Sequence, residues 1–414
     1  MIKYLQRRFA LSERGAHDLI KGVVGCVLQN IAFMLPVSLL YFTVSDLMNG
    51  GITGNRVWFY IIGIAVCLLL IFFITHFQYN STFLATYVES GVRRISIAEK
   101  LRKIPLSFFG RKDLADLTST IMNDCALLET AFSHFVPPLA GAMISTTLIS
   151  ISLFFFNWKM ALAALWVLPV AFLVVGCTNR VQHAMHKKSM AAKMACADGI
   201  QECLETMRDL KANNAEDSYL DGLESKIRAV EKRSIISELS TAVFVSSSGI
   251  ILKLGIASVA ITGGALLISG EIDVLTFFMF IIVASRLYDP LQGALNNLAA
   301  VISTKAAVDR MNEILDQPVQ EGSDKLTNSG CDIVFDHVGF SYKEGENVLN
   351  DVSFTAKQGE VTALVGPSGG GKTTVSRLAA RFWDCASGKI TVGGMDVDRT
   401  DPETLLQLYS IVFQ

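Results

Sequence analysis

Residues 366–373 read G-P-S-G-G-G-K-T. Glycine, four residues, glycine, lysine and a hydroxyl is the spacing that turns several backbone N–H groups toward one anion. Lys372 then supplies a mobile cation for terminal phosphates, and the Thr373 hydroxyl supplies a hard oxygen for Mg²⁺. The candidate contacts to a polyphosphate are therefore Gly366, Pro367, Ser368, Gly369, Gly370, Gly371, Lys372, Thr373 and Thr374. The flanks predict the context this chemistry needs. A buried-type strand is expected at 361–365 (VTALV), and a helix starting near Lys372 would aim its positive end at the bound anion.

Most of the chain ahead of this loop has another character. The 414 residues are 51% hydrophobic and only 18% charged, against about 25% charge in soluble domains. A membrane helix needs about 20 mostly apolar residues, and six stretches qualify. Residues 22–45 hold no charge; 57–88 hold only His76; 130–158 hold only His134; 160–179 hold none. The fifth, 239–268, is interrupted by Lys253, and the sixth, 272–300, by Arg286 and Asp289. Those three are candidates for a polar solute path, because charge in the bilayer is costly unless it faces a cavity or a partner. Arg286 and Asp289, three apart, can pair on one face.

Basic residues orient the spans. Segment 89–129 carries seven and segment 180–238 carries ten, whereas the short links 46–56 and 269–273 share only Arg56. Lysine and arginine collect on the cytoplasmic side. Both long loops, both termini and the phosphate loop are thus expected in the cytoplasm, in a multi-pass protein of the inner (plasma) membrane. Both loops have helical periodicity and so read as extensions of the spans, broken locally at 105–110 and at Asn213-Asn214. Residues 319–330, with Gly322 and Gly330, read as a linker; short strand patterns follow in 332–342, 347–366 and 388–397, and 408–414 begins another.

The whole arrangement resembles the exporter-type ATP-binding cassette (ABC) transporter family. The resemblance implies an all-α transmembrane domain of six helices over 1–318, a linker over 319–330, and an incomplete α/β P-loop NTPase domain over 331–414. It implies ATP with Mg²⁺ as cofactors, adenine stacking by Tyr342 of "FSYKEGENVLNDVSF", and Gln414 of "VFQ" as the glutamine that senses Mg²⁺. It places short coupling helices near 111–117 and 214–220. A second half-transporter, identical or different, is the implied partner. The family's signature segment, Asp-Glu strand and switch histidine follow the position of Gln414, so no catalytic base is expected among these residues and a truncated sequence is the expected reason. ATP-driven solute movement is implied, by default export. Import of metal–siderophore complexes and a non-hydrolysing regulatory subunit are the alternatives; a membrane anchor for an unrelated P-loop enzyme fits Tyr342 and Gln414 poorly.

Composition removes other classes. With 36 basic and 38 acidic residues the net charge is −2, so no nucleic-acid partner is implied. Eight scattered cysteines form no C-x-x-C pair and read as small apolar residues. His183, His186, Met190, Met194 and Cys196 cluster in sequence, yet their spacing spreads them around a basic helix rather than along a metal-binding face.

Overall fold

The computed structural model describes the chain except residues 53, 110, 111, 113, 343–346, 368, 413 and 414, and the side chains of 106, 115, 179, 180, 183, 216, 218, 244, 245, 296, 299 and 303. The described residues form two compact units: Met1–Ser90 with Leu127–Lys305, and Gly91–Ala126 with Ala306–Gln414.

Among the described residues, six helical segments are long and apolar enough to cross a membrane: Glu13–Met48, Gly54–Lys103, Asp116–Phe156, Trp158–Thr178, Tyr219–Ile268 and Val274–Leu295. They match the six expected spans. An amphipathic helix, Ile2–Phe9, precedes the first and stops at Ala10, whose backbone is left-handed. Ser12 then caps the first span by accepting from the Gly15 N–H. Ser12 is itself held by Glu89, whose two carboxylate oxygens accept its backbone N–H and its hydroxyl, both at 2.6 Å. The first span is two helices, Glu13–Ala32 and Leu35–Met48, with Pro36 in the opening turn of the second. A proline interrupts the helical ladder there. Asn157 and Asp273 cap the fourth and sixth spans by the same side-chain chemistry. The Asp273 carboxyl is held below the usual carboxylate range chiefly by its hydrogen bond from Thr276.

The fourth and fifth spans run on as helices Val167–Ala212, of 46 residues, and Glu216–Ile268, of 53. At 1.5 Å per residue the shorter is about 70 Å long, well over twice the hydrocarbon thickness. The turn between them, at Asn213–Ala215 with Asn214 left-handed, is the expected break. The short coupling helix expected at 214–220 is not a separate element. Residues 216–220 are the opening turns of the 53-residue helix, since nothing between Asp217 and Leu220 breaks a helix.

Small residues set how close the spans approach, as expected where lipid removes the hydrophobic drive between helices. The core gathers Met160, Val167, Leu252, Phe280, Leu287 and Leu291. Tyr288 is 3% exposed and donates its hydroxyl to the Ala164 carbonyl at 2.5 Å. A Cβ on Gly255 would stand 2.2 Å from that hydroxyl and 2.8 Å from Val167.

The second unit holds the one-turn helix Leu106–Phe109, the helix Leu114–Ser119 and the helix that ends at Leu315. The coupling helix expected at 111–117 begins outside the described residues and overlaps Leu114–Ser119. Arg310 donates from Nε and Nη2 to the two oxygens of Asp124, at 2.8 and 2.6 Å, and Lys112 pairs with Glu313 at 2.7 Å. Asp124 ends a π-helical turn, Thr120–Asp124, and its side chain is 7% exposed. The pair raises the Arg310 guanidinium above its ordinary value, first through the hydrogen bond to Asp124. Losing charge-assisted bonds to a buried carboxylate costs about 1.5–3 kcal/mol. We expect Arg310→Ala to lower the thermal midpoint accordingly, and Asp124→Asn with Arg310→Gln, which restores a neutral amide pair, to recover part of it. A midpoint unmoved in Arg310→Ala would show that the pair contributes nothing.

Strands β1 (Ile333–Ser341), β2 (Asn347–Ala356), β3 (Ser387–Val392) and β4 (Met395–Asp396) form an antiparallel sheet in the order β2-β1-β3-β4. Its core joins Phe335, Val338, Phe340, Leu349 and Ile390 to Leu378 of the helix Lys372–Ala379. Between Phe335↔Phe354 and Val338↔Val352, β1 advances three residues while β2 retreats two, so β1 carries a bulge. His337 lies in that bulge opposite Asp351, both left-handed, with Nδ1 2.5 Å from the carboxylate. The hydrogen bond to Asp351 raises the His337 imidazole above its ordinary value. A raised folded value means that the stabilisation is complete below the unfolded value near 6.5 and disappears as pH climbs through the folded one. Asp351→Asn should bring the His337 midpoint, followed by NMR, down toward 6.5; an unchanged midpoint would refute the pairing.

Two expected strands are missing. Residues 361–367 make no strand, and Val361 is 99% and Val365 93% exposed. Residues 409–412 likewise make none, and Val412 is exposed. Both are apolar runs of the kind that sits inside a parallel sheet; among the described residues no parallel neighbour exists to pair with them. The 319–330 stretch, expected as a linker, is strapped to this unit. Ser323 N–H donates to the Arg399 carbonyl at 2.8 Å and its carbonyl accepts from Asp401 N–H at 2.9 Å. Arg381, 4% exposed, donates to the carbonyls of Thr400 and Glu321 and to Asp384.

Candidate functional site

The glycine loop sits between the exposed run 361–365 and the helix Lys372–Ala379, which starts where the sequence pattern puts it. Gly369 and Gly371 are left-handed, at φ +82° and +79°, and Gly370 N–H closes a turn on the Pro367 carbonyl at 3.1 Å. Gly371 is the helix cap, and any side chain there is excluded twice. Its φ disfavours an L residue, and a Cβ would lie 2.7 Å from Leu349. Backbone N–H groups at the start of the helix, with its positive dipole end, make an anion seat.

The Lys372 ammonium lies over this loop and donates to the carbonyls of Gly366, at 3.0 Å, and Pro367, at 2.7 Å. It is therefore held at the loop by weak neutral acceptors, which a phosphate oxygen outcompetes as a charged one. Thr373 is exposed, free of packing that would hide its hydroxyl, whereas Thr374 is buried. These features fit a bound polyphosphate with its divalent cation: the left-handed turn at Gly369–Gly371 leads straight into the helix N-terminus, and Lys372 and Thr373 present the donor and the hard oxygen. Ser368 and Gln414 lie outside the described residues.

Tyr342 follows β1 and comes to the same place. Its hydroxyl is 3.0 Å from that of Thr374, one residue past the loop. Its ring meets Phe340 and Trp383 edge-on, at centroid distances of 4.9 and 5.3 Å. Arg377 lies 5.8 Å over the Trp383 ring. Trp383 and Arg377 were not singled out by the sequence; the signal available was the aromatic pair "FW" one turn after the loop's helix.

Other reactive groups are quiet. The Cys385 thiol is pushed up to about 12 by burial first and by the Asp398 carboxylate, to which it donates at 3.0 Å. A thiol that stays protonated is no nucleophile at neutral pH. Burial likewise raises Asp398 above the usual carboxylate range. No group of three or more metal-ligating side chains occurs among the described residues. In the extension of the fourth span His186 instead meets the Ser237 hydroxyl at 3.2 Å, and His183 lies outside the described side chains. Lys253, Arg286 and Asp289 are exposed on the fifth and sixth spans, and no ion pair joins Arg286 to Asp289.

Comparison with known proteins agrees with this architecture. Residues 19–291 match the ABC transporter transmembrane region, and residues 349–414 match the ABC transporter family. A mycobactin import ATP-binding/permease protein, IrtB of Mycolicibacterium thermoresistibile, is 30% identical over 77% of this chain and 55% of its own length. An ATP-dependent lipid A-core flippase of Cupriavidus metallidurans is 26% identical over 86% of this chain and 61% of its own length. The chain thus spans little more than half the length of these relatives. The structure of a bacterial Atm1-family ABC exporter with ATP bound superposes with a TM-score of 0.72, covering 94% of this chain and 70% of that one at 18% identity. With two thirds of its length matching the family's membrane region and a glycine loop of the right build behind it, the chain is an integral membrane protein of the ABC transporter family with the exporter fold.

Proposed function

We propose that the protein is one half of a dimeric ABC transporter that binds ATP and Mg²⁺ at 366–374 and uses them to move a solute across the inner membrane. The observation that carries this is the left-handed Gly369–Gly371 turn with Lys372 over it, in a chain with six membrane-length helices. Gly366, Pro367, Ser368, Gly369, Gly370, Gly371, Lys372 and Thr374 hold the phosphates, Thr373 and Gln414 meet the Mg²⁺, and Tyr342 stacks on adenine. ATP supplies the free-energy difference between two arrangements of the spans, and only differential binding to those arrangements can shift them. The long loops, the termini and the nucleotide site face the cytoplasm, consistent with seventeen basic residues in the two loops. The segments at 111–117 and 214–220 carry the coupling role that the family resemblance implies. Lys253, Arg286 and Asp289 contribute polar groups to the solute path. Import of a metal–siderophore complex is the second reading, favoured by the 30% identity to a mycobactin import protein.

The test is nucleotide selectivity in the full-length protein. ATP should bind more tightly than inorganic triphosphate, and Tyr342→Ala should erase that preference, by the roughly 1–3 kcal/mol that base–aromatic stacking is worth. Equal affinities for ATP and triphosphate in the unaltered protein would sink the adenine assignment. Absence of binding to either would sink the function.

A further inference from the structure

A cavity of about 20 Å³ lies between the first, second and third spans. Its wall includes Asp18 from the first span, Ser81, Thr86 and Glu89 from the second, and Phe132 from the third. About 10–15 Å³ is enough for one water-sized occupant. The room is therefore for a single small particle without a hydration shell. Two π-helical turns, Asn80–Leu84 and Ala131–Phe135, contribute Ser81 and Phe132 to the wall. Such widened turns disturb the helical ladder and recur at functional sites.

The oxygens around this cavity are under-used. Thr86 is 8% exposed, and among the described residues its hydroxyl makes no hydrogen bond. The Ser81 hydroxyl makes none among them either. Glu89 is 7% exposed and accepts one bond from Ser12 on each carboxylate oxygen. Lone pairs remain on both oxygens. Among the described residues no basic side chain forms an ion pair with Glu89. The start of the helix Glu13–Ala32, which Glu89 holds through Ser12, brings about half a positive charge. About half of the carboxylate charge thus stays unmatched, and a buried charge without a partner is costly. Asp18 adds a second carboxylate at the rim, where Lys21 pairs with it at 2.9 Å and Arg14 at 3.9 Å. Its side chain is 20% exposed, which gives the cavity a polar way in.

We infer that this cavity binds one dehydrated monovalent cation of the size of Na⁺, with Glu89 as its charge partner and the hydroxyls of Thr86 and Ser81 as neutral ligands. The ion fastens the second span to the start of the first. Divalent ions fit poorly. Ca²⁺ takes six to eight oxygens and Mg²⁺ keeps several of its waters, and the cavity has neither that many oxygens nor that room. The carboxylate is fixed in place, because a Cβ on Gly15 would stand 2.3 Å from its carbon. This site is separate from the glycine loop and does not rest on the transport reading.

The experiment measures binding of radiolabelled Na⁺ to the full-length protein by scintillation proximity. Thermal midpoints are compared in NaCl and in N-methyl-D-glucamine chloride at equal ionic strength. The expected result is saturable binding, displaced by unlabelled Na⁺ and far less by the larger K⁺, with the higher midpoint in NaCl. Thr86→Val keeps the shape and removes the hydroxyl. It should weaken Na⁺ binding at least about tenfold, the low end of what losing a supporting partner costs at a metal site. Thr86→Ser keeps the hydroxyl and should retain most of the binding. Glu89→Gln keeps an acceptor for Ser12 and should abolish binding. Monodisperse elution and a cooperative thermal transition show that each variant has folded; should Glu89→Gln fail that check, the two Thr86 variants decide. Absence of saturable Na⁺ binding with equal midpoints in the two salts means water only and overturns the inference. Binding that Thr86→Val leaves unchanged overturns it as well. Equal displacement by K⁺ overturns the assignment to a Na⁺-sized ion.

Discussion

Lys372→Ala is expected to reduce ATP affinity by one to two orders of magnitude while leaving the thermal midpoint where it was. Among the described residues the ammonium bonds only to two carbonyls of its own loop, Gly366 and Pro367. Those carbonyls are solvated without it, so the fold loses little. Its exchange of neutral acceptors for phosphate oxygens adds charge-assisted bonds worth about 1.5–3 kcal/mol, or roughly 10–150-fold in affinity. Titration of the full-length protein with a fluorescent ATP analogue reads the first quantity, and dye-monitored unfolding reads the second. Loss of both together would mean that Lys372 is structural; loss of neither would remove it from the site.

The largest stability effect is expected at Gly255. An alanine methyl there would stand 2.2 Å from the Tyr288 hydroxyl and 2.8 Å from Val167, well inside contact distance. Tyr288 cannot retreat without leaving the Ala164 carbonyl that it bonds at 2.5 Å in the middle of the core. Overpacking costs about 1–3 kcal/mol and a buried hydroxyl left without its acceptor about the same again. Gly255→Ala should therefore lower the thermal midpoint sharply. Adding Tyr288→Phe removes the clashing oxygen and should recover part of the loss. Gly264 is the internal control, because nothing lies within 4 Å of a Cβ built there. Alanine at that position of a helix is expected to be neutral or slightly stabilising, since glycine costs up to about 1 kcal/mol in a helix interior. Equal destabilisation at 255 and 264 would mean that the close approach of the spans is not what Gly255 provides.

The spans were the most legible part of the sequence because twenty uncharged residues have few alternatives to a bilayer helix. Their ends were legible where a charge marks them, as at Lys159 between the third and fourth, whereas the caps at Asn157 and Asp273 were not singled out. The extensions past the apolar stretch were legible too, down to the break at Asn213-Asn214, because helical periodicity continues where polarity changes. The phosphate loop was readable because its glycines are dictated by backbone geometry within eight residues. The strand expected at 361–365 was misjudged for a different reason. Its residues favour a parallel sheet, but a strand is a property of its neighbours as much as of itself, and 361–367 has none among the described residues. Trp383 and Arg377 escaped notice because nothing local in the sequence shows that they gather around the Tyr342 ring. The cavity beside Glu89 was invisible for a similar reason: its wall comes from three spans, and which side chains meet there depends on all three at once.

In the proposed transporter, nucleotide at the glycine loop is linked to the arrangement of the spans. That link is measured most directly by placing a cysteine at Ser152, which lines a cavity between the first, third and sixth spans, in full-length protein whose eight native cysteines are replaced by serine. The rate at which a small maleimide reacts there is then followed with and without ATP and Mg²⁺. The predicted result is a change of about fivefold or more, the usual size of coupling between sites, which Lys372→Ala abolishes. Identical rates with and without nucleotide, in protein shown to bind ATP, would contradict the claim.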